Sequence, residues 1–172
     1  MARINVGKKG KRFERELVGI LIEQFGEGFE RVPRSGAIFG GINKKRADNQ
    51  RNDVKEILSG DIIVPTNFNF SIEAKNYKEF PFHQLFEGKC SLLDGWIEQN
   101  NQDAELSGKK AIIFFKIDFK GIFVCVEEKI IDGILDTNYF RYKDYVICSL
   151  ETFLNNKYNI EILKYYWDDK NG

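Results

Sequence analysis

A chain of 172 residues with 42% hydrophobic and 14% aromatic content is globular rather than disordered, and long enough for one domain that buries roughly 70% of its unfolded surface. No apolar run approaches the ~20 residues that span a bilayer and the N-terminus lacks a signal-peptide core, while Cys90, Cys125 and Cys148, odd in number and widely spaced, read as reduced core thiols of a cytoplasmic protein. The 26 basic and 26 acidic side chains cancel, yet residues 1–60 hold 13 against 8 and the remainder 13 against 18, a polarity compatible with nucleic acid bound by the N-terminal part.

The first element is a helix from about Lys9 to Phe25. Phe13, Leu17, Ile20 and Leu21 keep the helical period, Val18 and Phe25 widen the apolar face, and Gly26-Glu27-Gly28 ends it. A strand from Phe29 to Arg34 follows, with Pro33 marking its end or an edge position. Ser35 to Ser59 is a long polar stretch carrying Lys44-Lys45-Arg46 and Arg51, where only Val54, Ile57 and Leu58 suggest a helical turn. Stretches of this kind inside a domain are more often functional or mobile than inert. Two β-branched strands come next, Gly60 to Pro65 and Phe70 to Asn76, and then a helix opened by Pro81 and running to about Asn101. Phe82, Leu85, Phe86, Leu93, Trp96 and Ile97 supply its apolar face. Lys110 to Asp118 and Gly121 to Glu127 read as a hairpin turning at Phe119-Lys120. A short helix (Lys129 to Leu135), a strand (Tyr145 to Cys148) and a helix N-capped by Ser149 complete the reading, and Tyr158 to Trp167 is ambiguous. No repeat or linker divides the chain. The expectation is a single α/β domain over residues 1–172, with an α-β-β-β-α-β core at about 7–126 and an extension, 127–172, packed on it.

Chemistry concentrates in the two central strands. Side chains alternate along a strand, so Glu73 and Lys75 project from one face, Ile72 and Ala74 from the other. If the strands pair, Asp61 and Glu73 converge with an ammonium two residues away. Two such carboxylates repel unless a cation lies between them, and hard oxygen donors suit Mg²⁺, with Mn²⁺ able to substitute. Such a site can activate water and hold a phosphodiester for in-line attack. The bland alternative is a surface salt-bridge cluster on a two-stranded ribbon. Glu-x-Lys sets also arise by chance, and Glu127-Glu128-Lys129 and Asp53-Val54-Lys55 are read as solvated. Glu14 favours the active site: it shares a helical row with Val18, Leu21 and Phe25, so its carboxylate points toward the sheet, where a buried charge needs a partner. Glu16 lies on the polar side and is the weaker candidate.

Together these segments resemble a known family. Gly10-Lys11-Arg12-Phe13-Glu14-Arg15-Glu16-Leu17-Val18, Arg31-Val32-Pro33-Arg34-Ser35-Gly36, Asp61-Ile62-Ile63 and Ile72-Glu73-Ala74-Lys75 are similar to the archaeal-type Holliday-junction resolvases of the PD-(D/E)XK nuclease superfamily. The resemblance covers about residues 7–76. It implies a restriction-endonuclease-like fold with a mixed central sheet flanked by helices, and a homodimeric, Mg²⁺-dependent endonuclease. Carried over by position, Glu14 is the helix carboxylate, Asp61 and Glu73 are the metal ligands, Lys75 is the catalytic lysine and Ser35 the active-site hydroxyl. Two departures bear on substrate: the stretch between Gly36 and Asp61 is longer than that family's loop, and the chain after about residue 117 is unmatched.

The expected activity is hydrolysis of DNA phosphodiesters, most specifically resolution of four-way junctions. The Ala74 carbonyl, lying between Asp61 and Glu73, is a further metal-ligand candidate, and Glu14 would complete the metal site directly or through a metal-bound water. Lys9, Lys11, Arg12, Arg31, Arg34, Lys44, Lys45, Arg46 and Arg51 are the candidate DNA contacts, each weighed against plain solvated surface. His83, the sole histidine, reads as exposed, and no glycine-rich phosphate loop is present. No membrane association and no small-molecule cofactor are expected. The alternatives are a related nuclease acting on other branched or short duplex DNA, and a DNA-binding protein that keeps the fold without turnover.

Overall fold

Helix α1 (Val6–Phe25) forms where Phe13, Leu17 and Leu21 repeat at four-residue spacing, and these three are fully buried. Gly26, at φ +95°, terminates it and donates its N–H to Ile22 O at 2.8 Å. In this computed structural model residues 6–33, 60–131 and 138–165 are described. The polar stretch from Ser35 to Ser59 lies outside them.

Two short strands, β1 (Glu30–Arg31) and β2 (Ile62–Ile63), lead to β3 (Phe70–Tyr77). β1 covers Glu30–Arg31 of the expected Phe29 to Arg34; Phe29 and Val32 on either side are buried, and Arg34 lies outside the described residues. The single helix expected after Pro81 is two: α2 (Phe82–Phe86) and α3 (Ser91–Ser107). Gly88, at φ +69°, bonds Leu85 O and breaks the run, which lets Cys90 and Leu93 reach the core. Phe86 is consequently exposed rather than part of the apolar face, its ring set edge-on to Phe140. β4 (Lys110–Ile117) and β5 (Gly121–Glu127) form the expected hairpin. The helix expected from Lys129 begins as a 3₁₀ turn over Glu128–Ile130, and residues 132–137 are not described. A strand that sequence reading did not anticipate, β6 (Phe140–Tyr142), pairs with β7 (Tyr145–Ser149) around Lys143 in a left-handed turn. Ser149 caps α4 (Leu150–Asn155) by accepting the Thr152 N–H at 3.0 Å, and the ambiguous C-terminal segment is helix α5 (Lys157–Tyr165).

Among the described residues seven strands form one sheet in the order β1-β2-β3-β4-β5-β7-β6. Of these pairs only β3–β4 is parallel. A parallel pair needs a crossover, which α2 and α3 supply. Helices therefore cover both faces. On one, α1, α4 and α5 pack on Phe70, Ile72, Ala74, Ile112, Phe114 and Val146. On the other, α2 and α3 pack on Ile113, Phe115, Ile117, Cys125 and Ile147. A sheet buried on both sides explains the unbroken apolar run of β4. Cys90, Cys125 and Cys148 are buried free thiols, and burial pushes Cys148 up to about 12. No helix among the described residues is long and apolar enough to cross a membrane.

Candidate active site

Asp61 enters β2 through a turn that needs glycine. Gly60 sits at φ +78°, and a Cβ on it would lie 2.6 Å from Ile72 O. That close approach lets the Asp61 N–H donate to Ile72 O at 2.8 Å while Asp61 O accepts from Val32 N–H at 3.0 Å. The Asp61 side chain then turns along β3, and its Oδ2 accepts the Ala74 N–H at 3.0 Å. A carboxylate here stands in for the next ladder position. In a strand the N–H and C=O of one residue point the same way, so the Ala74 carbonyl also faces the side from which Asp61 approaches.

Alternation along β3 sends Phe70, Ile72 and Ala74 into the α1 layer and Ser71, Glu73 and Lys75 toward α3. Glu73 is only 1% exposed. Its Oε1 takes a close ion pair from Lys75 Nζ and a 2.8 Å hydrogen bond from Gln99 Nε2, while Lys75 Nζ also donates to Gln99 Oε1 at 3.0 Å. Burial first, then the charge of Asp61, raises the Glu73 carboxyl from 4.5 to about 7 against the pull of Lys75. Asp103, one turn beyond Gln99 on α3, is raised as well, by burial and then by Asp61. The convergence expected of Asp61, Glu73 and Lys75 is therefore present as geometry. Its donors are hard oxygens whose mutual repulsion a divalent cation would relieve, so the residues fit such an ion.

Glu14 meets Arg31 of β1. It is 7% exposed on the α1 face, as its helical row requires, and its Oε2 receives Arg31 Nη1 at 3.2 Å. Among the described residues no three His, Cys, Asp or Glu side chains gather as a ready-made cage for one ion. Glu16 pairs with Lys116 at 2.5 Å. Of the candidate DNA contacts, Lys9 is ion-paired with Asp118 at 2.5 Å, Arg31 with Glu14, and Lys11 and Arg12 are exposed. Arg34, Ser35, Lys44, Lys45, Arg46 and Arg51 lie outside the described residues, as does Asp53-Val54-Lys55. Glu127 and Glu128 are engaged by Lys129 at 2.6 Å and Arg141 at 2.7 Å, surface pairs as expected. Gln99 and Asp103 went unread. Their signal was weak: Gln99, Asn100 and Asp103 continue the sheet-facing row of Trp96 with polar side chains.

A family model described as "Phage putative PDDEXK endonuclease" matches residues 5–165. The chain belongs to this family. Protein D14 of Escherichia phage T5 is 33% identical over 116 residues, 64% of this chain and 64% of that protein, so the chain spans just under two thirds of this relative's length. The solved Holliday junction resolvase Hjc of Archaeoglobus fulgidus is 17% identical, with 83% of this chain and 85% of that chain covered at a TM-score of 0.37. The PD-(D/E)XK assignment and the restriction-endonuclease-like α/β fold, α-β-β-β-α-β with a mixed sheet between helices, agree with the reading from sequence.

Proposed function

We propose that this PDDEXK chain is a divalent-metal-dependent DNA endonuclease that acts on branched DNA, four-way junctions foremost. One observation carries the chemistry: Asp61 Oδ2 is fixed on the Ala74 N–H at 3.0 Å, beside a buried Glu73 that is itself paired with Lys75. Asp61, Glu73 and the Ala74 carbonyl hold the ion, Mg²⁺ or in its place Mn²⁺. When bound, the ion supplies charge neutralisation and Lewis acidity at the phosphate. Lys75 orients the attacking water and offsets charge that grows on the phosphate oxygens. Ser35 and the Gly36 N–H steady the scissile phosphate. Glu14, paired with Arg31 of β1, would complete the site directly or through a metal-bound water.

Junction selectivity rests on the residue resemblance to the resolvases and on the basic first third of the chain. Cutting two opposed strands requires two sites in fixed relation, which a two-fold homodimer provides. Acting on DNA, the protein works in the cytoplasm. The second reading, a nuclease for flaps or linear duplex, is favoured by membership of an endonuclease family whose description names no junction. A non-catalytic DNA-binding role is opposed by the retention of Asp61, Glu73 and Lys75 in one cluster. The deciding experiment incubates the protein with Mg²⁺ on matched four-way-junction, flap, single-stranded and linear DNA, with sedimentation at the same concentration. Paired nicks on the junction by a dimer are expected. A monomer that cuts linear duplex as readily would leave a nuclease without junction selectivity, and no cleavage of any substrate would remove the activity.

A further inference from the structure

Helix α3 brings one uncharged side chain into the ion pair of β3. Gln99 Nε2 donates to Glu73 Oε1 at 2.8 Å, and Gln99 Oε1 accepts from Lys75 Nζ at 3.0 Å. Lys75 Nζ also lies on Glu73 Oε1, so the three groups close a ring. The amide has only one orientation that satisfies both neighbours, because an ammonium can only donate and a carboxylate can only accept. The choice of group is informative. An acid at this place would add a further negative charge to Glu73, Asp61 and Asp103, and a base would compete with Lys75 for Glu73. A primary amide joins both ends without changing the charge of the site.

The ring has a consequence for a site that takes up a cation. While the site holds no ion, the Glu73 charge suffices to hold Lys75 Nζ. A divalent ion on Glu73 draws on that same charge and repels the ammonium. Lys75 has a flexible four-carbon stem, and its side chain is 18% exposed, so release toward water is open to it. The one contact in the ring that the ion leaves untouched is Lys75 Nζ to Gln99 Oε1, which is held from a helix rather than from β3. We infer that Gln99 is a positioning residue that keeps the Lys75 ammonium at the reacting phosphate once Glu73 is committed to the metal. This rests on the nuclease reading above.

The test uses full-length protein and two substitutions. Gln99→Met keeps length and helix preference but has neither donor nor acceptor. Gln99→Glu keeps the acceptor for Lys75 and loses the donor to Glu73. The Lys75 ammonium is followed by NMR of ¹⁵N-lysine-labelled protein, assigned by its loss in Lys75→Met, with and without Mg²⁺. In the natural protein the signal should shift on adding Mg²⁺ yet persist. In Gln99→Met it should be present without the ion and vanish with it, and in Gln99→Glu it should persist. On a branched DNA, Gln99→Met should lower the single-turnover rate by about 10- to 100-fold, the scale of an approximately 1 Å misplacement, with DNA affinity in EDTA within about twofold. Gln99→Glu should recover part of that rate. Persistence of the signal in Gln99→Met with Mg²⁺, or cleavage by it at the natural rate, overturns the tether. A natural-protein signal indifferent to Mg²⁺ overturns the tether and the metal site together. If the signal behaves as expected but no DNA is cut, the tether stands and the nuclease reading falls.

Discussion

Replacing Glu73 by glutamine should make the folded chain less sensitive to pH while stopping cleavage. Burial and the Asp61 charge raise the Glu73 carboxyl to about 7, against 4.5 for an ordinary glutamate. The folded value lies above the unfolded one, so the folded state holds the proton more tightly. Its contribution to stability is full below about pH 4.5 and is lost as pH rises through about 7. At about 1.4 kcal/mol for each pH unit between the two values this is worth about 3–4 kcal/mol, most of which falls between pH 5 and pH 8. That is a large part of a total stability of about 5–15 kcal/mol, and corresponds to roughly 5–10 °C in Tm for a chain of this size. Glutamine keeps the length and an acceptor for Gln99 and Lys75, but does not ionise. Urea unfolding of both proteins in EDTA at the two pH values measures the effect, and groups remote from Glu73 cancel in the difference, leaving Glu73 together with the charges that face it, Asp61, Lys75 and Asp103. The natural protein should lose about 2–3 kcal/mol more than Glu73→Gln between pH 5 and pH 8. Equal losses would refute the assignment of a buried, ionising Glu73 beside Asp61.

Glu73→Ala and Asp61→Asn should each lower Mg²⁺-dependent cleavage by at least about 100-fold, with DNA affinity nearly unchanged, whereas Glu128→Ala should cleave normally; a fully active Glu73→Ala protein would move the active site elsewhere. Gly60→Ala should destabilise by about 2–4 kcal/mol, since it forces a left-handed backbone and a Cβ onto Ile72 O, and an unaltered melting curve would contradict that close approach. Changing Lys44, Lys45, Arg46 and Arg51 to glutamine should weaken DNA binding and reduce the slope of log affinity against log salt by about 0.9 for every phosphate no longer neutralised. An unchanged slope would take these four residues out of the DNA interface.

Local chemistry made much of the fold legible. Phe13, Leu17 and Leu21 announced α1, the alternation of Ile72 and Ala74 with Glu73 and Lys75 announced β3, and Ser149 announced the start of α4. What escaped depended on partners distant in sequence. β6 is three residues long and carries too little pattern to be seen without β7 beside it. The break between α2 and α3 hides inside a continuous apolar period, because Gly88 and Phe86 each look acceptable in a helix. The site divides in the same way. Asp61, Glu73 and Lys75 were readable from one hairpin-like stretch, and Glu14 from its helical row. Gln99 was not, since an amide on a helix gains its meaning only from the Glu73–Lys75 pair lying 24 and 26 residues away.

Arg31 pairs with Ile62 across β1 and β2, and Val32 N–H meets Asp61 O at 3.0 Å. The chain thus leaves the sheet and returns to it at adjacent points, one hydrogen bond from a carboxylate of the site. Asp61 is thereby tied to Val32, just after β1, through its carbonyl, and to β3 through its N–H and its side chain. A change that moves β1 is therefore felt at Asp61 through a single backbone hydrogen bond, although Val32 and Asp61 stand far apart in the chain.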